Sequence, residues 1–172
     1  HPGVLVQHGP ILRVVFGPRD PSYISPILSA IQSDLCESGI DGVLSTHIQR
    51  DALEKFSYVS PIGAAGVYLH AVAGDFQKEG AARELFKSMI REISTLAAAM
   101  GYPFEKDYVK INLEILSNLS ADATTSMQRD IMEGKPSELD GLVMEPLRLA
   151  KKYSVSMPCY EEVANALCPL EF

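Results

Sequence analysis

Residues 124–140 read TTSMQRDIMEGKPSELD. Thr125 and Ser126 set two hydroxyls ahead of a charged segment that runs with helical character to Gly134. Gly134-Lys135-Pro136 breaks that segment. Ser137-Glu138 then opens a second helix, with an acid in the first turn where the helix dipole favours it. Folding alone does not require this density of polar groups, so the stretch holds the chain's best candidates for chemistry.

Outward from this stretch the chain reads as helix. Residues 138–153 carry Leu139, Leu142, Val143, Leu147 and Ala150 at helical spacing, with a bend expected at Pro146. Residues 159–167 form a closing helix after Pro158, and residues 105–119 another, with Val109, Leu113, Ile115 and Leu116 on its apolar side. Residues 81–100 give the clearest stripe, through Leu85, Phe86, Met89, Ile90, Ile93, Leu96, Ala97 and Met100, with Gly101 as a stop. From Thr46, apolar residues and glycine recur every three or four positions, from Ile48 and Leu53 to Gly66 and Leu69. Pro61 is expected to kink this helix, because it cannot donate to the Ser57 carbonyl.

The opening differs. Residues 4–6 and 12–16 are β-rich runs joined by His8-Gly9-Pro10, which predicts a hairpin. Residues 22–36 predict a helix capped by Ser22 and ended by Gly39, and Val43-Leu44 a brief third strand. The change of character near Ser45 divides the chain into residues 1–45 and 46–172.

The 172 residues accommodate one domain, or one domain plus a remnant of another; 47% are apolar and 22% charged, as in an ordinary globular protein. The net charge of −7 excludes nucleic acid as a main partner, since a phosphate-binding surface needs a basic patch. Cys36, Cys159 and Cys168 are odd in number and lack zinc or redox spacing, which points to buried or idle thiols in a reducing, cytoplasmic compartment. No apolar run is long enough to span a membrane, and His1, His8, His47 and His70 form no ligand pattern, so no metal is expected. The chain opens on His1 rather than Met, which implies residues upstream. It contains no phosphate loop, no GxGxxG and no GxSxG.

Three residues have a structural and a chemical reading each. Lys55, in ALEKFSYV, is a lysine snorkelling from a helix edge or a partly desolvated proton donor. Ser126 is a helix N-cap or a hydroxyl that binds a substrate carboxylate. Glu138 complements a helix dipole, or accepts from a substrate hydroxyl and orients Lys55.

Ser126-Met127, Asp130, Gly134-Lys135 and Ser137-Glu138-Leu139-Asp140 together closely resemble the C-terminal domain of ketopantoate reductases (2-dehydropantoate 2-reductases). Leu53-Glu54-Lys55-Phe56 is similar to that family's Trp-x-Lys-Leu/Phe segment. Arg91-Glu92 with residues 97–101 resembles its Glu…Ala-x-Gly helix, and residues 155–158 its closing Gly-Val-x-x-Pro. The likeness extends over roughly residues 1–168.

The resemblance implies a mainly α fold: the all-helical C-terminal domain of a 6-phosphogluconate-dehydrogenase-like reductase. Residues 1–45 would then be the tail of an N-terminal NADP-binding Rossmann domain, and residues 46–172 the helical substrate-binding and catalytic domain. In such enzymes the active site lies in the cleft between the two domains. NADPH would be held mainly upstream of this chain, by a Gly-rich fingerprint the chain lacks, so the isolated chain is expected to be inactive. The resemblance further implies Lys55 as general acid, Ser126 as a substrate contact and Glu138 as the acid that binds a substrate hydroxyl and supports the lysine. Val59 and Gly63 stand where the family has asparagines, and Leu53 where it has tryptophan. A 2-oxo acid other than ketopantoate is therefore an expected substrate, and a homodimer through the helical domain an expected assembly. A non-catalytic paralogue, whose helical domain serves dimerisation or small-molecule binding, is the alternative.

Overall fold

The computed structural model describes residue 3, residues 12–23 and residues 25–167. The chain divides into two compact units, His1–Asp51 and Ala52–Phe172.

The first unit contains β1 (Arg13–Phe16), α1 (Pro26–Glu37) and β2 (Asp41–Leu44). The strands pair in parallel, from Arg13 opposite Asp41 to Phe16 opposite Leu44. Parallel pairing requires a crossover, and α1 supplies it. Residues 4–6 and the turn of the expected hairpin lie outside the described residues. Its second run is a strand whose partner, among the described residues, is the segment expected as a brief third strand.

Helix α1 starts later than expected. Pro26 occupies its first turn, where a missing N–H costs nothing. Ser22 does not cap it: its amide and hydroxyl both donate to the Asp20 carboxylate, at 2.9 and 2.7 Å, and turn the chain locally. Gly39, at φ +78°, ends the helix as expected. A Cβ on Gly42 would lie 2.9 Å from Leu35 Cβ, so glycine lets α1 settle on β2. Val14 and Val15 point to opposite faces of the sheet, yet each is 40% exposed. Parallel sheets are ordinarily covered on both faces, and this one is not.

Helix α2 (Ile48–Tyr68) begins in the first unit and runs on into the second, which continues with α3 (Ala73–Gln77), α4 (Ala81–Ala99), α5 (Tyr108–Ser117) and α6 (Ser126–Met132). A π-helical segment (Asp140–Met144), α7 (Glu145–Tyr153) and α8 (Pro158–Leu167) follow. The molecule is mainly α, as expected. Among the described residues no helix is long and apolar enough to cross a membrane.

Helix α4 is the axis of the second unit and packs on α3, α5, α7 and α8. Its predicted stripe is its buried face: Phe86, Met89, Ile90, Ile93, Leu96 and Ala97 are all inside. Burial of each large side chain of this kind stabilises by about 1.5–3 kcal/mol. Phe86 meets Tyr58 and Phe76 edge-on, both at 6.0 Å between ring centres. Glu92, on the same helix, accepts from the amides of Cys159 at 2.8 Å and Tyr160 at 3.1 Å, and so caps α8 from outside it. Helix α5 is shorter than expected, because Asp107 caps it by accepting from Lys110 N. Its inner face runs through Asn112 and Leu116, while Ile115 is 44% exposed.

Two prolines each free a carbonyl in this unit, and each carbonyl is recovered by a distant side chain. Helix α2 continues through Pro61. The Ser57 carbonyl that Pro61 cannot reach accepts from Asn112 Nδ2 at 3.0 Å. Pro146 leaves the Leu142 carbonyl free in the same way, and Ser60 Oγ donates to it at 2.6 Å. The Ser60 proton being so engaged, the Tyr160 hydroxyl is the donor across its 2.5 Å contact with Ser60 Oγ. Burial pushes the Tyr160 hydroxyl far up in pKa, so it keeps its proton.

Candidate active site

Lys55, Val59 and Gly63 recur every four residues on α2 and therefore share one face, each step advancing about 6 Å along the axis. Lys55 is exposed and, among the described residues, has no ion pair or hydrogen bond. Val59 is half-buried and Gly63 buried. Beyond the ammonium, this line offers no side-chain donor or acceptor.

Gly63 is the point where the face meets the rest of the site. A Cβ there would lie 3.1 Å from Met127 Cε and 3.9 Å from both Leu142 Cδ1 and Thr125 Oγ1. Thr125 and Met127 flank Ser126 in sequence. Leu142 follows Glu138 by one turn, its amide donating to the Glu138 carbonyl at 2.9 Å. The fold thus brings residues adjoining Ser126 and Glu138 against the end of the Lys55 line. The side chains of Ser126 and Glu138 are exposed, and no ion pair or hydrogen bond joins either to Lys55.

The start of α6 is fixed by a capping box that begins one residue earlier than the expected cap. Thr125, not Ser126, is the N-cap: its Oγ1 accepts from Gln128 N at 3.2 Å, while Gln128 Oε1 accepts from Thr125 N at 2.9 Å. Ser126 is left as the first helical residue, with its hydroxyl free of that duty. Gln128 Nε2 also donates to Ala71 O at 2.8 Å, tying α6 to the end of α2. Gly66 makes room for this, since a Cβ there would lie 2.8 Å from the Gln128 side chain. The loop before α6 is pinned to α3 by Ala73 N to Ala123 O at 3.0 Å and Gly74 N to Ala121 O at 2.8 Å.

On the Glu138 side, Ser137 does not open an α-helix. The helix begins at Leu139 and widens into the π-helical segment, whose Asp140 carbonyl accepts from Glu145 N five residues on. Single π turns of this kind recur at functional sites. Arg148 clasps Asp140 with both terminal nitrogens, at 3.0 and 2.6 Å, and Glu145 through Nε at 2.6 Å. The Arg148 guanidinium holds the Asp140 carboxyl below its usual range.

The residues that build this frame, Asn112, Ser60, Gln128 and Glu92, were not among the sequence candidates. Of the thiols, Cys36 is exposed, Cys159 is half-buried and Cys168 lies outside the described residues. Burial, reinforced by the Glu92 carboxylate, pushes the Cys159 thiol up to about 11. The described residues offer no cradle for a dinucleotide: after β1 come Pro18 and Pro21, and Asp20 takes the Ser22 amide.

The family profile described as "Ketopantoate reductase PanE/ApbA C terminal" matches residues 47–171. The chain belongs to the ketopantoate reductase family. It is similar to the crystal structure of 2-dehydropantoate 2-reductase from Geobacter metallireducens GS-15, with a TM-score of 0.81 and 23% identity over 90% of this chain and 52% of that one. It is also similar to 2-dehydropantoate 2-reductase from Methylococcus capsulatus, with a TM-score of 0.79 and 23% identity over 91% and 49%. A curated relative, the uncharacterized oxidoreductase YkpB of Bacillus subtilis (strain 168), is 24% identical over 121 residues, 70% of this chain and 40% of that protein. The chain thus spans about half the length of the ketopantoate reductases, or less.

Proposed function

We propose that this chain is the substrate-binding and catalytic half of an NADPH-dependent 2-oxo acid reductase, with Lys55 as its general acid. The observation that carries the reading is the free ammonium of Lys55, on the same helical face as Gly63, where the residues flanking Ser126 converge. The reduced nicotinamide supplies a hydride, and the residues that bind it belong to the part of the complete protein outside this chain. Lys55 hydrogen-bonds the carbonyl oxygen of the substrate and gives it a proton as negative charge develops there. Ser126 donates to the substrate carboxylate. Glu138 accepts from a substrate hydroxyl and, once substrate is in place, steadies the ammonium. The bared sheet faces at Val14 and Val15 agree with residues 1–45 being the tail of a larger parallel sheet.

Val59 and Gly63 bear on which 2-oxo acid is reduced. Ketopantoate carries a hydroxyl, and a buried hydroxyl left unpaired costs about 1–3 kcal/mol. The α2 wall at Val59 and Gly63 offers that hydroxyl no side-chain partner and leaves Glu138 alone to accept from it, so an acid less polar along that edge is the better substrate. The same wall is the observation that favours a non-catalytic paralogue. A homodimer through the helical domain is part of the proposal. An apolar concavity of about 450 Å³ at the end of α2, with Met132 82% exposed at its rim, gives that contact a surface.

The test is NADPH oxidation by the complete polypeptide across a panel of 2-oxo acids. Turnover of at least one acid, with ketopantoate among the poorer ones, is expected. No turnover with any acid, in a protein that binds NADPH, leaves the non-catalytic reading standing instead.

A further inference from the structure

Ser60 joins the two walls of the candidate site. It lies on α2 five residues after Lys55, about 7.5 Å along the helix axis, and directly after Val59. Its hydroxyl donates to the Leu142 carbonyl at 2.6 Å. The amide of the same Leu142 donates to the Glu138 carbonyl at 2.9 Å. Two hydrogen bonds through one residue therefore connect α2 to the backbone of Glu138. Among the described residues, the Ser60 bond is the one hydrogen bond between α2 and residues 138–144.

The join is buried and its proton is assigned. Ser60 and Tyr160 are both fully buried. Pro146 has no N–H to offer the Leu142 carbonyl, so the amide one turn on does not compete with the serine. The Tyr160 hydroxyl lies 2.5 Å from Ser60 Oγ and donates to it, which leaves the serine proton to Leu142. Little else holds the chain around Glu138. Residues 131–136, Glu138, Asp140 and Gly141 are all exposed.

We propose that Ser60 is a positioning residue of the reductase. It holds the helix that follows Glu138 against the helix that carries Lys55, at the separation a bound 2-oxo acid requires. It touches no substrate and acts through Glu138. An acid that carries a hydroxyl depends on it most, because Glu138 is the acceptor for that hydroxyl and Val59 and Gly63 provide no substitute. The catalytic role rests on the reductase reading; the join between the two helices does not.

The experiment therefore has two arms, both on the complete polypeptide. The first follows amide hydrogen exchange. Ser60→Ala should speed exchange at Leu142 and Val143 by about tenfold, because local opening no longer breaks the bond to α2. Unchanged exchange there overturns the proposal whatever the activity.

The second compares kcat/KM for ketopantoate and trimethylpyruvate, which has a methyl in place of the hydroxymethyl. Loss of folded protein lowers both alike and cancels in their ratio. Ser60→Ala should lower the ratio of ketopantoate to trimethylpyruvate by about tenfold, and should leave it unchanged in a Glu138→Ala background. Combining Pro146→Ala with Ser60→Ala gives the Leu142 carbonyl an amide without rejoining α2. That double variant should regain stability and keep the low ratio. A ratio that Ser60→Ala leaves unchanged, that the double variant restores, or that falls equally in the Glu138→Ala background overturns the proposal. Failure of the reductase reading shows separately, as no turnover of either acid by wild type while Ser60→Ala still speeds exchange at Leu142.

Discussion

Replacing Asn112 by alanine strikes the point where the active-site helix is held to the core. Asn112 is 1% exposed, and its amide donates to both the carbonyl and the hydroxyl of Ser57, at 3.0 and 3.1 Å. The Ser57 carbonyl needs that donor because Pro61 has no N–H to give it. Ser57 is fully buried, so water cannot take over. The orphaned carbonyl costs about 1–3 kcal/mol, and the emptied amide volume up to about 1 kcal/mol more. The expected loss is therefore about 1–4 kcal/mol, read as a lower midpoint in urea denaturation with an unchanged m-value. The decisive control is Pro61→Ala, which restores an N–H one turn beyond Ser57. With both substitutions that restored amide takes the Ser57 carbonyl, so the double variant should be less destabilised than the sum of the singles by about 1–2 kcal/mol. Additivity to within about 0.5 kcal/mol would refute the claim that Asn112 stands in for the proline's missing donor.

Two further outcomes test the frame around the site. Gly66→Ala should lower the melting temperature although alanine favours helix, because its Cβ would lie 2.8 Å from a Gln128 side chain bonded at both ends, whereas Gly63→Ala meets only the flexible end of Met127 at 3.1 Å and should be near neutral. With Cys36 and Cys168 changed to serine, alkylation of Cys159 should keep accelerating as pH rises toward about 11. Glu92→Gln should bring that midpoint down part of the way, since the carboxylate disfavours the thiolate while the larger cause, burial, persists; an unchanged pH profile would contradict the contact.

What the sequence disclosed follows from the range of the interactions involved. The α4 stripe was legible from Phe86 to Ala97 because one periodicity governs the whole face. Lys55, Ser126 and Glu138 stood out through the pattern around them, and the family assigned from residues 124–140 is the one whose profile matches. Pro61 and Pro146 announced their missing donors, yet nothing near them announced Asn112 or Ser60. Those partners lie 55 and 82 residues from the carbonyls they serve. Ser126 stands in a run of three hydroxyl residues, each of a type that suits an N-cap; Gln128, three after Thr125, is the signal that identifies the cap. The five residues of α3 are too few to show a period. Whether Phe16 and Leu44 lie on parallel or antiparallel strands depends on how α1 crosses between them, which alternation within either strand does not encode.

The most direct test of Lys55 as general acid is hydride transfer by the complete polypeptide carrying Lys55→Ala, followed in a single turnover with the best 2-oxo acid and saturating NADPH. Because Lys55 is exposed and unpaired among the described residues, its removal should leave the fold intact by circular dichroism. The account predicts that the rate falls by about 10²–10⁴-fold, the usual contribution of a positioned proton donor. A folded Lys55→Ala protein that transfers hydride at close to the wild-type rate would contradict it.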